Sequence, residues 1–255
     1  MYASSANVTE RSRQSPMLAI STVIFALRPD EASGRHALWL PLVRRIRQPH
    51  LGQWALPGGP LAGSESLQDA AGRTLQETTA LTPRYLEQLY AFGGLNRGPG
   101  QRLVSIVYWA LVQRGEAAQA PDSENVRWFR ADSVGELAFD HNDIVDYALW
   151  RVRNRMEYGS IAYHFLGPSF TLAQVHEVYE AVLGKSIDPA NFRRQLRSAT
   201  DIEATDAFLQ GGRHRPPRLY RYTGQAAPGA HFSFAGPAGV PYPARQNPAR
   251  QRSTT

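Results

Sequence analysis

GGPLAGSESLQDAAGRTLQETTAL, residues 58–81, places a Gly-Gly turn before one helix, predicted over 66–80. Leu67, Ala70, Ala71 and Leu75 share one arc of a 100°-per-residue wheel, and Thr74 and Thr78 fall inside it, within about 20° of Leu67. Two carboxylates at those positions would demand a cation, since a buried charge has to be balanced, whereas two hydroxyls can be covered without one. Glu77 lies outside the arc, with Arg73 four residues earlier as its expected partner.

Around this helix the chain reads as strands. LAISTVIFAL (18–27), HALWLPLVRR (36–45), WALPGG (54–59), YLEQLYAFGG (85–94), RLVSIVYWALV (102–112) and NVRWFRADSV (125–134) mix β-branched and aromatic residues between Gly, Pro, Asn and Asp punctuation. A mixed sheet with few helices is the expected result. After residue 140 the period changes: Ile144, Val145, Ala148, Leu149, Val152 and Met156 recur at helical spacing, predicting one linking helix over 143–157.

The remainder has its own order. In FTLAQVHEVYEAVLGK, Thr171 and Gln174 have capping-box spacing, Leu172, Val175, Tyr179, Val182 and Leu183 form an apolar stripe, and Gly184 supplies the stop. A second helix follows at once, with Asp188 as N-cap, Pro189 at its first position, and Phe192 and Leu196 inward. Asn191, Arg193, Arg194 and Arg197 are left outward. DIEATDAFL and RLYRY then flank a Gly-Gly turn carrying Arg213, His214, Arg215 and Arg218. Helix, turn, basic helix, basic hairpin is the order of a winged helix-turn-helix. From Thr223 onward Pro, Gly, Ala and Arg dominate without any Asp or Glu, so the tail is expected to be disordered.

Composition narrows the function classes. The 255 residues hold no cysteine, which excludes disulfides and thiolate metal sites, and the seven histidines show no H-x-x-x-H pairing. Residues 1–16 are polar and lack the apolar core of a secretory signal, and the longest apolar runs, about ten residues, are too short to span a bilayer as a helix. A soluble, cytoplasmic protein is expected. Net charge is +6, and residues 151–255 carry 14 Lys+Arg against 7 Asp+Glu, while residues 1–150 carry 14 against 15. The positive surplus therefore belongs to the C-terminal part and suggests a polyanion partner for that part only.

The first segment resembles the Nudix box, G-x5-E-x7-R-E-U-x-E-E-x-G-U with U aliphatic. Gly59, Glu65, Arg73, Leu75, Glu77 and Leu81 match in register, while Thr74, Thr78 and Ala80 replace two glutamates and the glycine. With FDHNDIVDYALWRVRNRMEY, IAYHFLGPSFTLAQVHEVYEAVLGKSIDPANFRRQL and GRHRPPRLYRY, the whole of residues 18–222 is similar to the NrtR family, Nudix-related transcriptional regulators of NAD biosynthesis. One departure is RGPGQR, where the family often has R-D-P-R-G-R, so that Arg97 and Arg102 remain while Gly98 and Gly100 replace an acid and an arginine.

The resemblance implies an α+β chain: a Nudix α/β/α sandwich with a mixed sheet (17–137), a linker helix (138–158), a winged helix-turn-helix (159–224) and the tail (225–255). It implies a homodimeric repressor of NAD biosynthesis or salvage genes, binding a pseudo-palindromic duplex operator and sensing ADP-ribose or a related NAD metabolite. Arg44, Arg45, Trp54, Gly58, Gly59, Arg73, Glu77 and Arg102 are the expected ligand residues. Asn191, Arg193, Arg194, Arg197, Arg213, His214, Arg215 and Arg218 are the expected DNA residues. No catalytic residue and no required cofactor are expected; Glu77, with Glu65, would hold Mg2+ if hydrolysis survived. The competing readings are a Mg-dependent ADP-ribose or NADH pyrophosphatase and an RNA-associated Nudix protein, the last disfavoured because Phe192 reads as buried.

Overall fold

The computed structural model describes residues 15–95, 97, 102–118, 120, 122–156, 160–197, 199–210 and 216–224. The tail, and with it its expected disorder, lies outside the described residues.

Strand β1 (Met17–Asp30) is apolar on both faces because both are covered. Ile20, Ile24 and Ala26 point to the helix α1 (Leu67–Thr79), packing with Ala70, Ala71 and Leu75, while Val23, Phe25 and Leu27 point to the helix α3 (His141–Arg155) and its Ile144, Val145 and Ala148. Strand β6 (Leu103–Leu111) runs parallel to β1 in matched register, Val23 beside Trp109 and Ile24 beside Ala110, so its side chains sort the same way.

Around this pair lie β2 (Arg35–Arg44), β3 (Trp54–Ala55), β4 (Gly58–Pro60), β5 (Tyr85–Phe92) and β7 (Val126–Arg130), with a one-turn helix α2 (Arg114–Ala117) after β6. The order is β3-β2-β1-β6-β5, with β4 on the first half of β1 and β7 on β2. Every pairing except β1 with β6 is antiparallel, which makes the sheet mixed as expected.

WALPGG, expected as one strand, is divided. Trp54 and Ala55 pair with β2, whereas Gly58 to Pro60 pair with β1. The chain changes partner at Leu56–Pro57, where proline has no N–H for a ladder and its carbonyl instead accepts from Thr22 N–H at 2.9 Å. Gly58 is required there, since a Cβ would stand 2.3 Å from the Ile20 carbonyl oxygen.

Ser66 caps α1, its hydroxyl accepting from Asp69 N–H at 3.1 Å. At the other end Ala80 adopts φ 57°, the left-handed conformation for which the Nudix pattern has glycine. A Cβ in that conformation costs about 1 kcal/mol or more. Ala80→Gly is therefore expected to stabilise the protein by about 0.5–1 kcal/mol, read as a raised urea midpoint at unchanged m-value; a lowered midpoint would contradict it.

The second half comprises α4 (Ser160–Tyr163), α5 (Leu172–Leu183), α6 (Pro189–Leu196), β8 (Ile202–Phe208) and β9 (Arg218–Tyr222). The Thr171–Gln174 capping box is present, Gly184 ends α5 at φ 65°, and Asp188 caps α6 by accepting from Asn191 N–H at 2.7 Å. Phe192 and Leu196 are buried, Phe192 meeting His176 and Tyr179 edge to face at 4.9 and 5.3 Å. Phe170 and Tyr220 exchange backbone hydrogen bonds of 2.9 and 2.7 Å, an isolated bridge that ties the segment before α5 to the two-stranded β8–β9 hairpin.

The two halves share one core. Leu40 of β2, Ile144 of α3, Val178 of α5 and Phe192 of α6 belong to the same buried cluster. At its margin Arg114 meets Glu177 at 2.7 Å and Arg114 N–H donates to Phe165 O at 3.0 Å. Among the described residues no helix is long and apolar enough to cross a membrane.

Candidate functional site

A cavity of about 320 Å³ opens where β1 begins, between β4, the start of β6 and the N-terminus of α3. Gly58, Gly59 and Arg45 line it, as do four residues the sequence reading left out of the ligand set: Leu56, Arg97, Phe139 and His141. Gly59 faces open space, with nothing within 4 Å of a Cβ placed there.

Two guanidinium groups reach this cavity. Arg45 donates through Nε to Pro49 O at 2.8 Å and lies 4.6 Å over the Phe139 ring, a cation–π contact. Phe139 reaches that position with φ 58°, uncommon for a residue with a Cβ, and it also meets His50 edge to face at 4.6 Å. Arg97 is only 3 % exposed and binds Asp140 at 2.5 Å, its second tie running from Nη1 to Phe92 O at 3.2 Å. Asp140 is the N-cap of α3, so Arg97 ties the cavity wall to the helix that leads into the second half.

His141 closes the wall. Its Nδ1 accepts from Leu56 N–H at 2.9 Å, which requires that nitrogen to be unprotonated. Burial pushes its pKa down to about 4, against a smaller opposing pull from Asp140.

The other expected ligand residues lie elsewhere. Arg44 is exposed at the end of β2, its Nε 3.3 Å from Gly52 O. Trp54 packs edge to face on Phe129 at 5.1 Å beneath Arg127, against the large core, and does not line the cavity. Arg102 donates to Gly94 O at 2.9 Å. Gly98 and Gly100 lie outside the described residues.

Arg73 and Glu77 form a separate exposed group with Glu65. Arg73 binds Glu65 at 2.9 Å and Glu77 at 3.2 Å, while Glu65 also accepts from Ala62 N–H at 3.0 Å. Hydrogen bonds from Arg73 first, then from the Ala62 amide, hold the Glu65 carboxyl below its usual range. Thr74 and Thr78 turn their hydroxyls back to the helix, donating to Ala70 O at 2.8 Å and Thr74 O at 2.7 Å. The Mg2+ that the Nudix resemblance implies does not fit this donor set. Both surviving carboxylates are tied up by ion pairs to one arginine, the threonines are committed to the backbone, and no group of three or more His, Asp or Glu side chains among the described residues could hold a metal.

The second surface is basic. Arg193, Arg194 and Arg197 are exposed on or just beyond α6, and none has a carboxylate partner among the described residues. Asn191 Oδ1 accepts from Arg194 Nη2 at 2.7 Å, so in the free protein it aligns an arginine. On the hairpin, Arg218 donates to Thr205 O at 2.6 Å and stands 3.4 Å from Asp206, which occupies it within its own element. Arg213, His214 and Arg215 lie outside the described residues.

Comparison with known proteins matches both halves. Residues 17–148 fit the NUDIX domain and residues 162–222 the NrtR DNA-binding winged helix domain. An ADPR-responsive transcriptional repressor, NtrR, of Acinetobacter baylyi is 30 % identical over 90 % of this chain and 89 % of its own. An ADP-ribose pyrophosphatase of Methanocaldococcus jannaschii is 32 % identical, over 43 % of this chain and 66 % of its own. The crystal structure of Shewanella oneidensis NrtR with a 27mer DNA superposes with a TM-score of 0.70 at 32 % identity, covering 81 % of this chain and 93 % of that one. With a Nudix sandwich and a winged helix in the same order over nearly the full length of that repressor, this chain belongs to the NrtR family.

Proposed function

We propose that the protein is a DNA-binding transcriptional repressor of NAD biosynthesis or salvage genes whose Nudix domain binds ADP-ribose and does not cleave it. The observation that carries this reading is the division of charge. The two Nudix carboxylates are engaged by Arg73, while α6 presents arginines with no acidic partner among the described residues. Buried or paired arginine needs no ligand; exposed, unpaired arginine on a recognition helix suits phosphates and guanine edges. The names of the Acinetobacter repressor and the Shewanella DNA complex support the same assignment. A duplex operator in the cytoplasm is the partner this implies.

The diphosphate would lie against Arg45 and the Gly58–Gly59 backbone, with Phe139 beside it. Arg97 offers the route outward, since a ligand that draws on Arg97 competes with Asp140 at the head of α3. Helix α3 in turn touches α5, where the Tyr179 hydroxyl donates to Met156 O at 3.1 Å. The ligand then shifts operator affinity by its differential affinity for the two arrangements.

Titrating ADP-ribose by calorimetry tests the site. Arg45→Ala is expected to weaken binding by about tenfold or more, the worth of one charged hydrogen bond. Unchanged affinity would move the ligand out of this cavity.

The homodimer belongs to the same proposal. On the outer side of β5 no strand pairs among the described residues; Tyr90 of that strand (56 % exposed) meets Phe92 and Tyr147, and Leu95 (86 % exposed) follows three residues after its end. Such an open apolar edge suits a second copy. A sedimentation run returning only a 28.3 kDa species would remove it.

A further inference from the structure

A second cavity, of about 550 Å³, lies between the two halves and shares no lining residue with the first. Its walls come from the β1–β2 turn, β7, α3, the outer face of α5 and the α5–α6 turn, which runs directly into the recognition helix. Neither the Arg45–Gly59 cavity nor the exposed arginines of α6 share its lining residues.

Its charges do not balance locally. Asp30 and Asp132 are both held by Arg130, at 2.9 and 2.8 Å, and Glu177 is held by Arg114. Glu180 accepts from Ile187 N–H at 2.8 Å and faces His176 at 3.9 Å. Arg35, Arg153 and Lys185 have no carboxylate in ion-pair range among the described residues, although Arg153 acts on Asp132 from further away, and the five cations lining the cavity exceed its four carboxylates by one. Arg35 donates to the Ser186 hydroxyl at 3.1 Å, and Arg153 to Val182 O at 3.1 Å. The C-terminal dipole of α5 offsets about half a charge, so a positive excess of about half a charge remains. It is focused in a concave site whose other walls include Leu38, Leu149 and Ala181.

We propose that this cavity is a second ligand site, taking a small oxyanion, a phosphate or dicarboxylate, between Arg35 of the Nudix half and Lys185 of the helix-turn-helix. Guanidinium forks suit such groups, and bridging the halves at the α5–α6 turn would brace α6 in one orientation.

Full-length protein is titrated by calorimetry with inorganic pyrophosphate and, separately, with malonate, at ionic strength held constant with chloride. One saturable site is expected, weakened at least tenfold in Arg35→Gln/Lys185→Gln. Both side chains are exposed, so the double variant is expected to fold, checked by circular dichroism. Pyrophosphate alone binding there identifies a phosphoryl ligand, and malonate alone a dicarboxylate. Binding that survives the double variant, that is lost in Arg45→Gln or Arg193→Gln/Arg194→Gln/Arg197→Gln instead, or that is absent for both probes overturns the proposal.

Discussion

Replacing Arg193, Arg194 and Arg197 together by alanine is expected to weaken operator binding by on the order of 10²–10³-fold and to reduce the slope of log K against log salt by about three. Each arginine that neutralises a phosphate releases about one counterion, and these three are exposed with no internal carboxylate to satisfy. Stability should be unchanged, because α6 is anchored through Phe192 and Leu196 on its other face. Fluorescence anisotropy at several salt concentrations reads both quantities. A variant that kept the original slope would show that α6 does not face the duplex.

Acid should weaken the fold through His141. Above about pH 6.5 the imidazole is neutral in folded and unfolded chains alike and contributes nothing to the pH dependence. As pH falls, the unfolded chain takes up the proton near 6.5, while the folded one resists until about 4. Stability is lost across that window, reaching about 3 kcal/mol below it. His36 and His164 are depressed in the same direction by burial, so the informative quantity is a difference. His141→Asn keeps an acceptor for Leu56 N–H but cannot titrate. The gap in unfolding free energy between parent and variant should shift by that amount between pH 7 and 4; a constant gap would refute the assignment.

Most of the fold was legible because it rests on local rules. The β-branched and aromatic runs of β1 and β6, the Thr171–Gln174 box, the Asp188 cap with Pro189, and the Gly184 stop are short-range signals, and each is realised. The wheel placement of Thr74 also holds, since it is buried on α1. The division of WALPGG was not legible, because it depends on which strand each half meets. The cavity residues were harder still. Arg97 and Phe139 come from irregular segments with no periodicity and His141 from the first position of α3, and the fold brings them beside Arg45 and Gly58. Trp54 shows the converse: an aromatic beside a Gly-Gly turn invites a stacking role, yet its contacts are with Phe129 and the core.

The most direct test is fluorescence anisotropy of the full-length protein on a labelled fragment from upstream of NAD biosynthesis genes, with competitor DNA, titrated with ADP-ribose. A ligand-responsive repressor should bind that fragment selectively, and saturating ADP-ribose should change its affinity by about fivefold or more while remaining intact. Unselective, salt-labile binding that ADP-ribose leaves unchanged, or release of AMP from the ligand during the titration, would contradict it.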